Sequence, residues 1–490
     1  MICQQPPNQQ RHDSLLPSSY RIGPTDQKDI LSNAIGIPRP LARPDGPVSV
    51  TTDGIKYGSA GQTSINSAFI SRIYSAQIPY QAFPANKLVN ALEKELKVLK
   101  ADDYFINHLF PMHLLPEGMS DETIIKELSK SHNGNPSIWN EKGICFRDKP
   151  SALTGKEGGL ANWLNNIGTT LGKVLGREPL RFWSHRSCDT PPIGASSSIK
   201  RKPDLILIDK TYFDEFQDNP HKQIDWAFIR AIAELTCSPS ISKRMTDSIN
   251  AKAYLMFLCQ YNRRFVVALS FTSAREESFR LTVTDREGQV HWTVGLHSSR
   301  RKERSLLFLR ILFILMFGSS ADIGLDPNFE IDQTGKCVAI TVQEKRFQVV
   351  DLIYSLNSVV GRGTRIWVVK LGKATYTLKD CWIQHEHVQS EISMMKKFRE
   401  DEQLTGFVPK LLCGGDVQIN GVVDSTEQYR SGLPGWVSKG QRIHRQLVCS
   451  PIGEPLSKYR SKREFIEAIC SIIRSASLLT MSVVNLITGL

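Results

Sequence analysis

The spacing of apolar residues predicts three amphipathic helices near the start of the ordered chain. Between Asn86 and Lys100, leucines at positions 88, 92, 96 and 99 lie on one helical face. Residues 121–130 and 158–175 show similar spacing, and the first of these segments begins with acidic residues, which the helix dipole favours. We expect a helical cap at residues 86–150.

Shorter apolar runs predict a mixed α/β domain at residues 151–330. Four apolar residues at 205–208 are typical of a buried strand, and the link 285–288 is typical of a hairpin turn. Strands are predicted at 205–208, 228–235, 265–271, 279–284 and 290–294, and helices at 242–261 and 305–317.

The two ends of the chain differ from this middle region. Residues 1–85 are rich in Pro, Gly, Ser, Asn and Gln, so they have little to bury and are predicted to be mostly disordered. A second β-rich region begins near residue 335 and continues to residue 490. The fold class predicted for the chain is α+β.

Composition narrows the class of protein. The 490 residues are 41% hydrophobic and 22% charged, which excludes a collagen, a wholly disordered chain and a multi-span membrane protein. No apolar run approaches the ~20 residues of a membrane-spanning helix, and the start lacks a secretory pattern, so we expect no membrane association. The ten cysteines lack the short spacing of zinc or redox pairs and indicate an intracellular location, cytoplasmic or nuclear.

The charge balance favours anionic partners. The chain has 61 Lys and Arg against 49 Asp and Glu, a formal charge of +12. Such a surplus attracts polyanions, although a solvated basic surface also explains it. Non-specific nucleic-acid binding is therefore one expectation.

The segment from Val359 to Glu391 has the pattern of a nucleotide-binding loop. Gly361 and Gly363 lie between two predicted strands, and glycine lets backbone N–H groups approach a phosphate because it has no Cβ. Lys379 is predicted on the next strand, and Glu391 in the first turn of a helix, from which it reaches back to the lysine. The alternative is a glycine hairpin with an ordinary surface Lys–Glu pair.

This layout resembles the N-terminal lobe of protein kinases. In that family a glycine-rich loop covers ATP, a strand lysine grips the phosphates and a helix glutamate orients the lysine. The resemblance implies these roles for Gly361 and Gly363, for Lys379 and for Glu391.

Neighbouring positions fit the kinase pattern in part. Val368 matches the valine after the glycines, whereas Ile366 replaces the third glycine and Thr377 replaces an alanine. The resemblance implies that Val368 and Thr377 also contact the nucleotide.

Longer stretches narrow the resemblance to the fungal-type protein kinases. In chain order these stretches are RKPDLILID, YNRRFVVALSF, ERSLLFLRILFILMF, VVGRGTRIWVVK, YTLKD and HRQLVCSPIGEPLSKYRSK. The resemblance covers about residues 150–475. It implies a Ser/Thr-type protein kinase that transfers phosphoryl groups from ATP to the hydroxyls of a protein substrate that the sequence does not identify.

The motifs that complete a kinase do not occur in the sequence. H-R-D and D-F-G supply the Asp that orients the nucleophile and the ligands of Mg²⁺, and neither occurs in the 490 residues. We expect a truncated, pseudokinase-like chain with a kinase-like N-terminal lobe and the first C-lobe helix at residues 335–490. ATP binding is expected to be weak or lost, and Mg²⁺ is expected only with a complete C-terminal lobe.

The middle domain resembles the core of PD-(D/E)xK nucleases. Asp204 precedes one predicted strand and Glu234 ends another, as do the carboxylates that hold a divalent metal in those enzymes. Thr236 stands where the nuclease lysine belongs, so cleavage is not expected. The alternatives are a degenerate nuclease-like module that binds nucleic acid or acts as a basic scaffold, and two unrelated carboxylates.

Overall fold

Two seven-stranded sheets, each flanked by helices, make up the structure of residues 85–474. The computed structural model describes this span except for residues 112–113, 116–119, 131–136, 141–144, 148–156, 195–198, 220, 274–278, 297–300, 357, 386–389, 403–405, 407 and 454–455. All described residues belong to one unit, Asn66–Leu490. The disorder predicted for residues 1–85 falls almost wholly outside the described residues.

The first sheet and its helices occupy residues 85–317. In chain order the elements are α1 (Ala85–Glu95), β1 (Val98–Lys100), α2 (Asp103–Leu109), α3 (Asp121–Leu128), β2 (Trp139–Asn140), β3 (Cys145–Phe146), α4 (Glu157–Leu175), β4 (Arg181–Ser184), β5 (Leu205–Asp209), α5 (Lys210–Asp218), β6 (Ala231–Leu235), α6 (Lys243–Cys259), β7 (Val266–Phe271), β8 (Phe279–Asp285), β9 (Gly288–Val294) and α7 (Arg301–Phe317). The strand order is β1-β9-β8-β7-β6-β5-β4. β6 and β7 are parallel and are joined through α6, whereas β4, β5 and β6 form an antiparallel meander.

Helices cover both faces of this sheet. In β5, Leu205 and Leu207 pack into the core shared with α4 and α7, and Ile206 and Ile208 pack into the core shared with α1 and α6. Alternating side chains of a strand point to opposite faces, so a strand buried on both faces is apolar throughout.

The helix predicted at residues 86–100 is shorter than expected. It ends at Glu95, and Val98–Lys100 pair in parallel with Gln289–His291 at the sheet edge. The apolar residues Val98 and Leu99 continue the helical spacing, but the unpaired edge of β9 offers this segment backbone hydrogen bonds. The cap therefore contributes a strand to the middle domain.

The second sheet occupies residues 329–450. In chain order the elements are β10 (Phe329–Ile331), β11 (Cys337–Val342), β12 (Lys345–Ser355), β13 (Arg365–Leu371), β14 (Ala374–Gln384), α8 (Ser390–Glu400), β15 (Lys410–Asp416), β16 (Gln418–Ile419), β17 (Val422–Val423), α9 (Glu427–Arg430) and β18 (Arg442–Ser450), and residues 462–474 are helical. The strand order is β10-β11-β12-β13-β14-β18-β15, with antiparallel neighbours. Together the two sheets give the α+β architecture expected from the sequence.

One face of the second sheet packs on the first part of the chain. Arg365, at the start of β13, donates hydrogen bonds to the carbonyl oxygens of Phe257 (2.8 Å) and Tyr261 (2.6 Å) at the end of α6. The Tyr261 ring meets Trp367 edge to face, with 5.2 Å between the ring centroids. None of the helices in the described part of the chain is long and apolar enough to cross a membrane.

Candidate functional site

An ion pair joins the predicted strand lysine to the predicted helix glutamate beside the second sheet. Lys379 lies in β14 and Glu391 in the first turn of α8, and the Nζ of Lys379 contacts the Oε1 of Glu391. The two side chains are 25% and 32% exposed, so the ion pair is partly accessible to solvent. The structure thus brings these two predicted site residues together.

Two more of the predicted residues share the sheet face of Lys379. Antiparallel pairing places Val368 opposite Thr377 and Ile366 opposite Lys379. Directly opposed residues lie on one face, and residues two apart on a strand share it. Val368, Thr377 and Lys379 therefore form a half-buried row that is turned away from the first part of the chain.

The glycine loop is longer than the sequence predicts. The glycines were expected to join two strands in a hairpin, but β12 ends at Ser355 and β13 starts at Arg365. Val359 packs into the core between the first sheet and α6, so it belongs to the loop that carries Gly361 and Gly363. The Gly361 N–H donates to the carbonyl oxygen of Arg286 in the β8–β9 turn (2.8 Å).

The two carboxylates of the middle domain lie side by side. Asp204 immediately precedes β5, and Glu234 lies in the neighbouring strand β6. Leu205 pairs with Ala233, which brings Asp204 beside Glu234, and the Leu235 N–H donates to the Oδ2 of Asp204 (2.7 Å). The sequence-predicted pair is thus a spatial cluster.

A lysine that the sequence patterns did not single out completes this cluster. Lys252, in α6, forms an ion pair with Glu234, and both side chains are buried. Ser248, one turn earlier on the same helix face, donates to the Oε2 of Glu234 at 3.4 Å. A lysine within an apolar helical segment was the available signal, because a buried lysine needs a partner. Lys252 thus places a cation beside Glu234, whereas the uncharged Thr236 supplies none.

Burial controls the protonation of these carboxyls. It raises the pKa of Glu234 to about 7, although the Lys252 ammonium favours the ionised form. It also raises the pKa of Asp204, against the hydrogen bond from Leu235. At neutral pH the cluster can therefore hold or release a proton.

A basic groove of about 610 Å³ adjoins the cluster. Ser248 forms part of its wall, and three of the other lining residues are Arg201, Lys243 and Arg244. In the described part of the chain no group of three or more His, Cys, Asp or Glu side chains is placed to hold a metal ion. A divalent ion bound by Asp204 and Glu234 therefore needs water or substrate oxygens as its remaining ligands.

Comparison with known proteins assigns the family. A family model described as "Fungal protein kinase" matches residues 202–483, more than half of the chain. The matched segment includes Asp204 and Glu234 of the middle domain as well as Lys379 and Glu391. No curated protein and no solved structure matches the chain. The chain belongs to the fungal protein kinase family.

Proposed function

We propose that the kinase-like lobe binds ATP on the sheet face that carries Lys379. The observation that carries the proposal is the Lys379–Glu391 ion pair. A glutamate that fixes a strand lysine holds an ammonium group in place for the α- and β-phosphates. Val368 and Thr377, opposed on adjacent strands of the same face, supply an apolar surface for the base.

The activity that we propose for this chain is nucleotide binding. Phosphoryl transfer is an activity that only the family assignment suggests. Transfer to a protein hydroxyl needs a catalytic Asp and Mg²⁺ ligands, which kinases take from H-R-D and D-F-G. Neither motif occurs in these 490 residues, so we expect no transfer by this chain alone. Weak ATP binding is expected of these residues alone, since one wall of a cleft buries less of a ligand than two.

Calorimetry with Mg-ATP tests the proposal. We expect Lys379→Met to weaken binding by at least tenfold, because it removes the cation that faces the phosphates. Lys373→Met is the matched control, since Lys373 is an exposed lysine in the turn after β13. Equal affinities of wild type and Lys379→Met, or loss of binding in the Lys373 variant, would contradict the proposed site.

The middle domain supports a second candidate function, the binding of nucleic acid at the Asp204–Glu234 cluster. The observation that favours it is Lys252, which supplies from α6 the cation missing at Thr236, next to a groove that presents Arg201, Lys243 and Arg244. Basic side chains contact phosphates, and two carboxylates with a metal ion and a lysine form the usual setting for phosphodiester hydrolysis.

Binding of duplex DNA at several salt concentrations tests this second candidate. We expect Arg201→Ala with Arg244→Ala to reduce the slope of log affinity against log salt by about two, one for each phosphate that an arginine no longer neutralises. Arg346→Ala, on the exposed surface of the second sheet, is the control. An unchanged slope in the double variant would place the DNA-binding site elsewhere on the protein.

A cleavage assay with Mn²⁺ distinguishes a nuclease from a binding module. Cleavage of DNA by wild type that is lost in Glu234→Gln would show a nuclease.

A further inference from the structure

Arg286 ties the glycine loop to the middle domain. The residue lies in the β8–β9 turn and is almost fully buried. Its Nη1 donates to the carbonyl oxygens of Ser358 (2.7 Å) and Val359 (3.3 Å), and its own carbonyl accepts from the Gly361 N–H (2.8 Å). Three hydrogen bonds thus join a turn of one part of the chain to a loop of the other.

Side-chain packing adds to these hydrogen bonds. Val359 has no exposed surface and is part of the core between the first sheet and α6. Gly363 lies so close to Arg286 that a Cβ there would be 2.6 Å from the guanidinium carbon, and its φ is +47°. The Arg286 guanidinium also stacks over the Phe257 ring, 4.5 Å from its centroid. The loop is therefore docked on the middle domain through its backbone and through Val359.

The turn that carries Arg286 is itself held by the kinase-like lobe. Arg430 forms a buried ion pair with Asp285 through Nε (2.7 Å to Oδ2) and Nη2 (2.8 Å to Oδ1). Glu287 accepts hydrogen bonds from Thr426 (2.7 Å) and from the Trp436 indole (2.9 Å). Because the side chains of Asp285 and Glu287 are both held, the Arg286 backbone between them has a defined position. The glycine loop can therefore be released while the turn stays in place.

Docking competes with phosphate binding by the loop. The Gly361 N–H is engaged by Arg286, so it cannot donate to a phosphate at the same time. Arg365, which follows the loop, lies on the sheet face opposite to Lys379, since it pairs with Asp380. The end of the glycine loop at Arg365 is therefore attached to the middle domain behind the sheet rather than to the sheet face proposed to bind the nucleotide.

We propose that the middle domain restrains nucleotide binding by holding the glycine loop in a docked state, with Arg286 and Val359 as the latch. This inference rests on the proposed ATP site. Apparent affinity is the intrinsic affinity multiplied by the fraction of molecules with a released loop. Weakening the latch therefore strengthens ATP binding, and ATP in turn weakens docking by the same factor.

Two latch variants and one control test this by calorimetry with Mg-ATP. Val359→Ser reduces the apolar anchor, and Arg286→Lys removes the Nη1 group that donates to the carbonyl oxygens of Ser358 and Val359. We expect each variant to bind Mg-ATP at least threefold more tightly than wild type. Val342→Ser, in a buried strand of the same lobe, is the control for general loosening and should leave the affinity unchanged. Equal or weaker binding by both latch variants, measured below their melting temperatures, would overturn the latch.

Hydrogen exchange without nucleotide reports on the latch directly. The amide of Gly361 should exchange faster in Val359→Ser than in wild type and in Val342→Ser, because it leaves the Arg286 carbonyl and no phosphate is present to accept its hydrogen bond. Equal exchange in the three proteins would contradict release of the loop. Tight binding by wild type without tighter binding by the variants rejects the latch alone, whereas no binding by any of the proteins rejects the ATP site and the latch together.

Discussion

The guanidinium of Arg264 and the carboxylate of Asp424 form a buried ion pair across the contact between the two parts of the chain, 2.6 Å from Nη2 to Oδ1. Arg264 follows α6 in the part of the chain that carries the first sheet, and Asp424 follows the β16–β17 hairpin in the part that carries the second sheet. Both side chains are nearly inaccessible to water. The pair therefore couples the stability of one part to the position of the other.

Removal of one partner of this pair should be costly. Arg264→Ala removes one of two buried side chains that contact the Asp424 carboxylate, and loss of one partner of a buried ion pair typically destabilises a protein by about 3–5 kcal/mol. Arg346→Ala, which breaks the exposed Arg346–Glu330 pair, should cost much less, because solvent screens that pair. Urea unfolding of the two variants measures the difference. Similar losses of unfolding free energy would show that the buried pair does not hold the two parts together.

The same carboxylate takes part in a second buried contact, with His444. The Nδ1 of His444 is 3.0 Å from the Oδ2 of Asp424, and its Nε2 is 2.8 Å from the Oδ1 of Asp380. Both ring nitrogens face carboxylates, so both carry protons and the imidazole is cationic. Burial opposes this charge, but Asp380 and Asp424 raise the pKa of His444 to about 10. Asp326 lies on the same side, 3.8 Å from Nδ1.

Stability should therefore depend on pH through His444. Because its folded pKa exceeds the unfolded value of about 6.5, its contribution is complete below pH 6.5 and is lost as the pH rises through about 10. We expect His444→Gln to destabilise the protein more at pH 6 than at pH 10, by a few kcal/mol on the order of the pKa shift. Chemical unfolding of both proteins at the two pH values measures this, and a pH-independent difference would mean that His444 is neutral in the fold.

Local sequence patterns predicted the contacts that depend on neighbouring elements. Lys379 and Glu391 lie on consecutive elements, β14 and α8, and the β8–β9 hairpin follows from its short turn. The continuous apolar run of β5 likewise indicated a strand buried on both faces. Such relations need only the alternation of strands and the spacing of helices.

Contacts that depend on packing between distant elements could not be read from the sequence. Lys252 reaches Glu234 only because α6 packs against the first sheet at a particular rotation. Arg286, in a polar turn, has the sequence appearance of an exposed residue, yet it is buried beneath the glycine loop and stacks over the Phe257 ring. The strand at Val98–Lys100 also required knowledge of the open edge of β9, which overrides local helical spacing.

The pair of Lys252 and Glu234 should behave as one buried unit in stability measurements. Lys252→Met leaves Glu234 buried without a cation, and we expect a loss of stability that grows as the pH rises above about 7, because the carboxyl holds a proton at lower pH. The double variant with Glu234→Gln has no charge to bury and should recover most of that loss. Urea unfolding of the two single variants and the double variant measures the coupling. Additive effects would show that the ion pair contributes little and that each residue acts alone.

The role of Glu391 in ATP binding should run entirely through Lys379. The ion pair is partly exposed, so its removal costs less than about 1 kcal/mol of stability and the variants should fold. We expect Glu391→Gln to weaken Mg-ATP binding several-fold, and less than Lys379→Met, since the lysine remains but is no longer held towards the phosphates. The double variant should bind as weakly as Lys379→Met alone, because an orienting residue has no effect once the group it orients is gone.

Calorimetry of wild type, the two single variants and the double variant measures this coupling, with Glu400→Gln at the exposed end of α8 as the control. A further loss in the double variant would mean that Glu391 contacts the nucleotide or its metal directly, and no loss in Glu391→Gln would reduce the pair to a surface contact.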